Sequence, residues 1–181
     1  MTETSSTQLV GVAVPTLRQL RSAILSSAEA TDAVTALREA GYAGGESVHS
    51  AFEHWLVETG ASKEMDAGGL QLDAFGDEAA KFFRDSGWGD VEFSHDEENG
   101  VAIVDISNCW EAAGSESGDD PGCQLTTGML AAFFGKIAGF PVAVMETECC
   151  HGTSARCRFL LGNSETMNHQ WENLNSQSLS L

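Results

Sequence analysis

Residues 123–157 read CQLTTGMLAAFFGKIAGFPVAVMETECCHGTSARC, and four of their side chains form a candidate metal-binding set. The members are Cys123, Glu146, Cys149 and Cys157. Three thiolates and one carboxylate complete the tetrahedral coordination of Zn²⁺. Cys123 precedes a helix-like segment, Glu146 and Cys149 end a strand-like run, and Cys157 opens the next strand. Because four protein ligands leave no position open for water or substrate, we expect a structural site that joins these three elements.

The spacing alone leaves an alternative open, because it is not a standard zinc-finger pattern. The chain has five cysteines, and in a protein without an export signal they can simply be small buried hydrophobic residues. Cys109, Cys150 and His151 also lie near enough in sequence to replace a member of the set or to be bystanders.

The hydrophobic pattern outside this stretch predicts alternating helices and strands. Apolar residues recur at helical spacing in four earlier segments, and Glu97-Glu98-Asn99-Gly100 is typical of a hairpin turn between two strands. We therefore predict an α+β fold, with helices packed on one face of a mostly antiparallel four-stranded sheet. The predicted helices begin at Pro15 and span residues 31–40, 47–58, 70–84 and 125–138, and the predicted strands span residues 91–94, 101–106, 142–146 and 157–161.

Length, charge and the polar ends set the domain organisation. The 181 residues suit a single domain, which we place at residues 15–162 between flexible segments at residues 1–14 and 163–181. The net charge is −18 with only nine Lys and Arg, which disfavours contact with nucleic acid or an anionic membrane surface. This acidity is that of a solvated surface or of adaptation to high salt. With no apolar run of about 20 residues and no export signal, we expect a cytoplasmic protein with reduced cysteines.

The segment from Ser107 to Phe159 resembles the 4-vinyl-reductase-type small-molecule-binding domain. The resemblance rests on the runs S-N-C-W-E-A, P-G-C-Q-L-T-T-G, G-F-P-V-A-V-M-E-T-E-C and C-R-F. That family includes the sensor domain of bacterial activators that respond to phenols and xylenes, and it shares its fold with Bet-type subunits of the TRAPP complex. The resemblance implies zinc at the four residues named above, because the aromatic sensors have the same Cys, Glu, Cys and Cys spacing.

The resemblance also implies a buried pocket for a small hydrophobic molecule. Strand positions Val104 and Ile106, with Thr127 and Val144, match positions that line the pocket in the aromatic sensors, and we add Trp110 and Phe133 as aromatic candidates. Since the strand positions are aliphatic here, we expect a more apolar or larger guest than a phenol. Aromatic residues at helical spacing are, alternatively, plain core residues.

We carry three functional hypotheses forward. The first is a zinc-stabilised, homodimeric binding module that holds a small hydrophobic ligand and signals to a protein partner, with the small-residue helix at residues 128–139 allowing close dimer packing. The second is an enzyme or accessory in tetrapyrrole (bacteriochlorophyll) vinyl reduction, although the sequence has no dinucleotide fingerprint and no paired catalytic carboxylates. The third is a scaffold subunit whose pocket is filled by side chains.

Overall fold

The computed structural model describes residues 10–27, 29–61, 72–112, 122–150 and 154–178. These residues form an α+β fold, as predicted, with an open sheet in the order β1-β2-β4-β3 and antiparallel pairing throughout. The helices are α1 (Val14–Ser27), α2 (Ala30–Thr59), α3 (Leu72–Asp85), α4 (Gln124–Ala138) and α5 (Ser164–Ser178), and the strands are β1 (Asp90–Asp96), β2 (Val101–Ser107), β3 (Ala143–Glu148) and β4 (Cys157–Gly162).

The two central strands supply the sheet side of the hydrophobic core. Val104 pairs with Phe159 across β2 and β4, Ile106 pairs with Cys157, and all four side chains are almost completely buried. They belong to one hydrophobic cluster with Phe133 of α4. This arrangement brings the start of β4, where Cys157 lies, directly under the helix that follows Cys123.

The hairpin between β1 and β2 forms at the predicted turn. The Asp96 carboxylate accepts hydrogen bonds from the Asn99 backbone N–H at 3.1 Å and from the Asn99 side-chain amide at 2.7 Å. Gly100 completes the turn with a φ of +64°, a conformation that favours glycine. The Asn-Gly signal therefore predicted both the position of the turn and its conformation.

Helix α2 corrects the prediction of two helices at residues 31–40 and 47–58. It runs unbroken from Ala30 to Thr59, through the glycines that the sequence analysis took as a helix stop. A Cβ at Gly41 would overlap the Leu125 carbonyl of α4, and a Cβ at Gly45 would lie 2.6 Å from the Met129 carbonyl oxygen. The glycines thus allow α2 and α4 to approach closely, and this packing outweighs the low helix propensity of glycine.

The same close contact changes the interpretation of the small-residue helix. A Cβ at Gly128 of α4 would overlap the Arg38 carbonyl of α2, so Gly128 packs within the chain rather than being free for a dimer contact. The homodimer itself stays a prediction.

Helix α5 lies where the sequence analysis placed a tail without regular structure. The Asn163 side chain accepts a hydrogen bond from the Thr166 N–H at 2.9 Å, which is the geometry of a helix N-cap. Met167 is buried against Gly162 at the end of β4, while Trp171 is exposed. The tail prediction missed this cap because it weighed the polar composition of the segment above its capping residue.

The cations of the described part of the chain are all used internally. Each makes an ion pair or a hydrogen bond to an oxygen of another residue in the chain, so none is held apart from an acceptor. They are Arg18, Arg21, Arg38, Lys81, Arg84, Lys136, Arg156 and Arg158. Among the helices in the described ranges, none is long and apolar enough to cross a membrane.

Candidate metal centre

The fold brings the four predicted metal ligands together. Their ligand atoms all lie within 4.8 Å of one another. The Sγ–Sγ distances are 3.7 Å for Cys123–Cys149, 3.6 Å for Cys123–Cys157 and 3.8 Å for Cys149–Cys157. A tetrahedral zinc site with Zn–S bonds of about 2.3 Å has S–S edges of about 3.8 Å, so the three sulfurs already have the spacing of one face of that tetrahedron.

The Glu146 carboxylate has the position and the free oxygen of a fourth ligand. Its Oε2 accepts a hydrogen bond from the Cys123 N–H at 2.7 Å, whereas its Oε1 is buried and has no hydrogen-bond partner among the described residues. Burial, followed by the neighbouring Cys149 thiol, raises the pKa of this carboxyl to about 9. A buried oxygen without a partner is costly, and a bound cation would both satisfy Oε1 and restore the ionised form. The residues present therefore fit Zn²⁺.

Local backbone geometry delivers each ligand from a different element. Cys123 is the N-cap residue of α4, and Cys157 is the first residue of β4. In β3 the pairing register shifts between Glu146 and Glu148, which turns the chain just before Cys149. Gly122 has a φ of +84°, and a Cβ there would collide with the Glu146 carboxylate. Glycine is thus required directly before the first ligand.

A second glutamate, which the sequence analysis did not select, holds the start of α4. The Glu111 carboxylate accepts the Leu125 and Thr126 N–H groups at 3.0 and 2.8 Å, and the Arg21 Nε lies 3.3 Å from it. Arg21 of α1 also donates to the Gly122 carbonyl at 2.8 Å. The helix N-terminus beside Cys123 is therefore fixed from α1 and from the loop after β2. The only sequence signal was a glutamate within S-N-C-W-E-A.

The alternative ligands have separate fates. Cys109 is fully buried with its Sγ 3.8 Å from that of Cys123, and Cys150 places its Sγ 3.5 Å from that of Cys157. Hydrogen bonding from Cys123, and then from Cys157, lowers the pKa of the Cys109 thiol. His151 lies outside the described residues. All five sulfurs therefore gather at one place, with four of the predicted ligand atoms forming the compact set.

The predicted pocket residues divide into two groups. Val104, Ile106 and Phe133 share the main hydrophobic cluster, and Val144 packs against it. The remaining two point elsewhere. The Trp110 ring packs on Trp88 at 6.0 Å, and the Thr127 hydroxyl donates to the Cys123 carbonyl at 2.8 Å.

Phe133 lies within a group of aromatic rings. It contacts Phe83 and Phe134 at ring-centroid distances of 5.1 Å and Phe52 at 5.6 Å. His49 of α2 approaches its edge at 5.7 Å, whereas His54 is exposed and pairs with Glu58. The interior beside β2 and α4 is therefore aliphatic on the sheet side and aromatic on the helix side.

The fold is shared with proteins of several kinds. The phenol-responsive sensory domain of the transcription activator PoxR, solved with phenol, has a TM-score of 0.62 and 14% identity over 90% of this chain and 82% of that one. A trafficking protein particle complex subunit 3 from Naegleria fowleri, covalently bound to palmitic acid, has a TM-score of 0.61 and 11% identity over 82% of this chain and 90% of that one.

A third structure, a vinyl-4-reductase family protein from Methanocaldococcus jannaschii, has a TM-score of 0.49 and 17% identity over 86% of this chain and 83% of that one. Among curated proteins, none matches this sequence. Residues 102–163, in contrast, match the vinyl-4-reductase domain family, and this segment contains all of the predicted metal and pocket residues. The chain therefore contains a vinyl-4-reductase domain, the 4-vinyl-reductase-type domain that the sequence analysis predicted.

Proposed function

We propose that this chain is a small-molecule-binding module stabilised by Zn²⁺, which holds a small hydrophobic ligand and acts as a homodimer through a protein partner. The observation that carries the proposal is the vinyl-4-reductase domain match over residues 102–163, which contains both the Cys/Glu cluster and the buried strand beside it. The PoxR domain with the same fold responds to phenol, and this chain would bind a ligand of related size.

Zinc would serve as a structural clip. Its ligands would be Cys123, Glu146, Cys149 and Cys157, which come from the start of α4, from β3 and the residue after it, and from the start of β4. A cation bound by four protein groups keeps no open position, so its contribution is to folding energy rather than to chemistry on a substrate. The unpartnered Glu146 Oε1 and the three evenly spaced sulfurs support this assignment.

The ligand would be neutral and largely hydrocarbon. Val104, Ile106 and Phe133, the members of the proposed pocket that share the core cluster, offer no hydrogen-bonding side chain. Thr127, the one hydroxyl of the proposed set, already donates its hydrogen to the Cys123 carbonyl. A guest such as a xylene would therefore gain from apolar burial, whereas a phenol would leave its hydroxyl without a donor from these residues.

Native mass spectrometry of protein purified without chelators tests the proposal directly. We expect a dimer with one zinc per chain and an additional small-molecule mass, and the extracted molecule should be apolar. A tetrapyrrole or a flavin in that mass would instead favour the vinyl-reduction alternative. A zinc-bearing protein with no added mass, and with no thermal stabilisation by p-xylene, would contradict the ligand-binding part. Metal-free protein would contradict the zinc part.

A comparison of ligands sharpens the test. A ligand that binds only the folded state raises the melting temperature in proportion to its concentration over its Kd. We expect p-xylene to stabilise the protein more than phenol at equal concentration, because the proposed lining is apolar. The reverse order would show that a hydrogen-bonding group outside the proposed set binds the guest.

A further inference from the structure

A fifth sulfur lies against the cluster without belonging to the proposed zinc site. The Cys109 Sγ is 3.8 Å from the Cys123 Sγ in a side chain with no exposed surface, and Cys157 is its second sulfur neighbour. Cys109 stands outside the set of ligand atoms that all lie within 4.8 Å of one another. It therefore faces the edge between Cys123 and Cys157 from a side that Glu146 and Cys149 do not occupy.

This edge has the dimensions of a shared pair of ligands. The Cys123 and Cys157 sulfurs are 3.6 Å apart, and Cys109 approaches the first of them at a similar distance. Sulfurs that bind one soft cation at about 2.3 Å are separated by about 3.8 Å in a tetrahedral site and by about 4.0 Å in a planar three-sulfur site. A thiolate has more than one lone pair, so one sulfur can bind two cations at once.

We propose that Cys109, Cys123 and Cys157 bind a second thiophilic cation with a filled d shell, such as Zn²⁺ or Cu⁺, which shares the Cys123 and Cys157 thiolates with the first. Thiolate ligands favour such soft cations over Mg²⁺ or Ca²⁺. The site would be buried and made of sulfur alone, which excludes the hard cations that the acidic surface also attracts.

The charge of the first site favours this second cation. Three thiolates and one carboxylate carry four negative charges, so one divalent cation leaves two of them uncompensated. A buried net charge of this kind is unfavourable in a low-dielectric interior. A second divalent cation, bound with the Cys109 thiolate, adds two positive charges and one negative charge. The two-cation cluster would be closer to neutral than the one-cation site.

The test uses the whole chain, reduced and metal-free, titrated under argon with ¹¹³Cd²⁺ alone. We expect native mass spectra to show two cadmium ions per chain for the wild type, one for Cys109→Ala, and two for the matched control Cys150→Ala. The ¹¹³Cd spectrum of the wild type should show two resonances, each split by coupling to the other cadmium through the shared sulfurs. That splitting reports the bridge even where Cys109→Ala fails to fold.

The proposal rests on metal binding at the first site, and the outcomes separate the two. One cadmium per wild-type chain, lost in Cys149→Ala, would overturn the second site and keep the first. No cadmium in the wild type would overturn both. Two unsplit resonances, or a second cadmium that survives Cys109→Ala and disappears in Cys150→Ala, would overturn the bridging role of Cys109.

Discussion

Two glycines on one helix should respond to alanine in opposite directions. Gly41 and Gly44 both lie in α2, but a Cβ at Gly44 would have nothing within 4 Å, whereas one at Gly41 would overlap the Leu125 carbonyl and approach the Met129 N at 3.0 Å. We expect Gly44→Ala to stabilise the protein and Gly41→Ala to destabilise it. Since Leu125 is two residues beyond Cys123, the Gly41 variant should also displace the first metal ligand.

The magnitudes follow from the contacts. Alanine at the open position, Gly44, gains roughly 0.5–1 kcal/mol of helix stability. At Gly41 the added methyl meets backbone atoms that cannot rotate away, which places the overpacking penalty near the upper end of about 1–3 kcal/mol. The unfolding free energies of the two variants should therefore differ by about 3 kcal/mol, which is a difference of roughly 6–12 °C in melting temperature for a chain of this size.

Urea denaturation measures the difference, once with chelator and once with saturating zinc. The Gly41→Ala protein should be less stable in both conditions and should also bind zinc more weakly in a competition titration with a chromophoric chelator. Equal stability of the two variants, or a stabilised Gly41→Ala, would refute the close α2–α4 contact. A destabilised Gly41→Ala with unchanged zinc affinity would refute the link between that contact and the position of Cys123.

Three further predictions concern the site. Cys149→Ala should lose its zinc on dialysis while Cys150→Ala keeps one per chain, as measured by elemental analysis; equal retention would contradict the ligand assignment. In chelator, the Glu146 carboxyl is protonated in the folded chain up to about pH 9 but only up to about its ordinary 4.5 when unfolded, so stability should fall as pH rises between these values, by at most about 1.4 kcal/mol per unit. Glu146→Gln should flatten that slope in urea denaturation at pH 5, 6 and 7, and an unchanged slope would assign it to another group. Glu111→Gln should reduce stability by about 3 kcal/mol, because it leaves Arg21 without its buried charge partner, and a loss below about 1 kcal/mol would show that hydrogen bonding alone holds α4.

The local features of the fold could be predicted from the sequence because they depend on residues near one another in the chain. The hairpin turn follows from Asn99-Gly100, and the end of α4 at Gly139 follows from the need for a left-handed residue after the helix. The four metal ligands were selected by chemistry and by resemblance. Their gathering in space depends on the pairing of β3 with β4, which the strand pattern also predicted.

The features that were missed depend on partners distant in sequence. Nothing local in residues 41–45 indicates that α4 lies against them, so their glycines suggested a break where the helix continues. Glu111 reads as an ordinary surface acid until Arg21, 90 residues away, and the first turn of α4 surround it. Sequence patterns report the periodicity of an element, and they say little about which neighbour makes an unfavourable residue acceptable.

The internal pairing of the described cations has a kinetic consequence. Because each described Lys or Arg already faces an oxygen within the chain, the field outside the protein is set by the excess of acids in a chain with a net charge of −18. Fields of this kind change the association rates of charged species by roughly 10- to 1,000-fold, and they do so most strongly at low ionic strength. Metal cations would arrive quickly, neutral hydrocarbons would be unaffected, and anionic amphiphiles such as fatty-acid carboxylates would be slowed before any contact with the interior. The surface would thus select among guests by their rate of arrival.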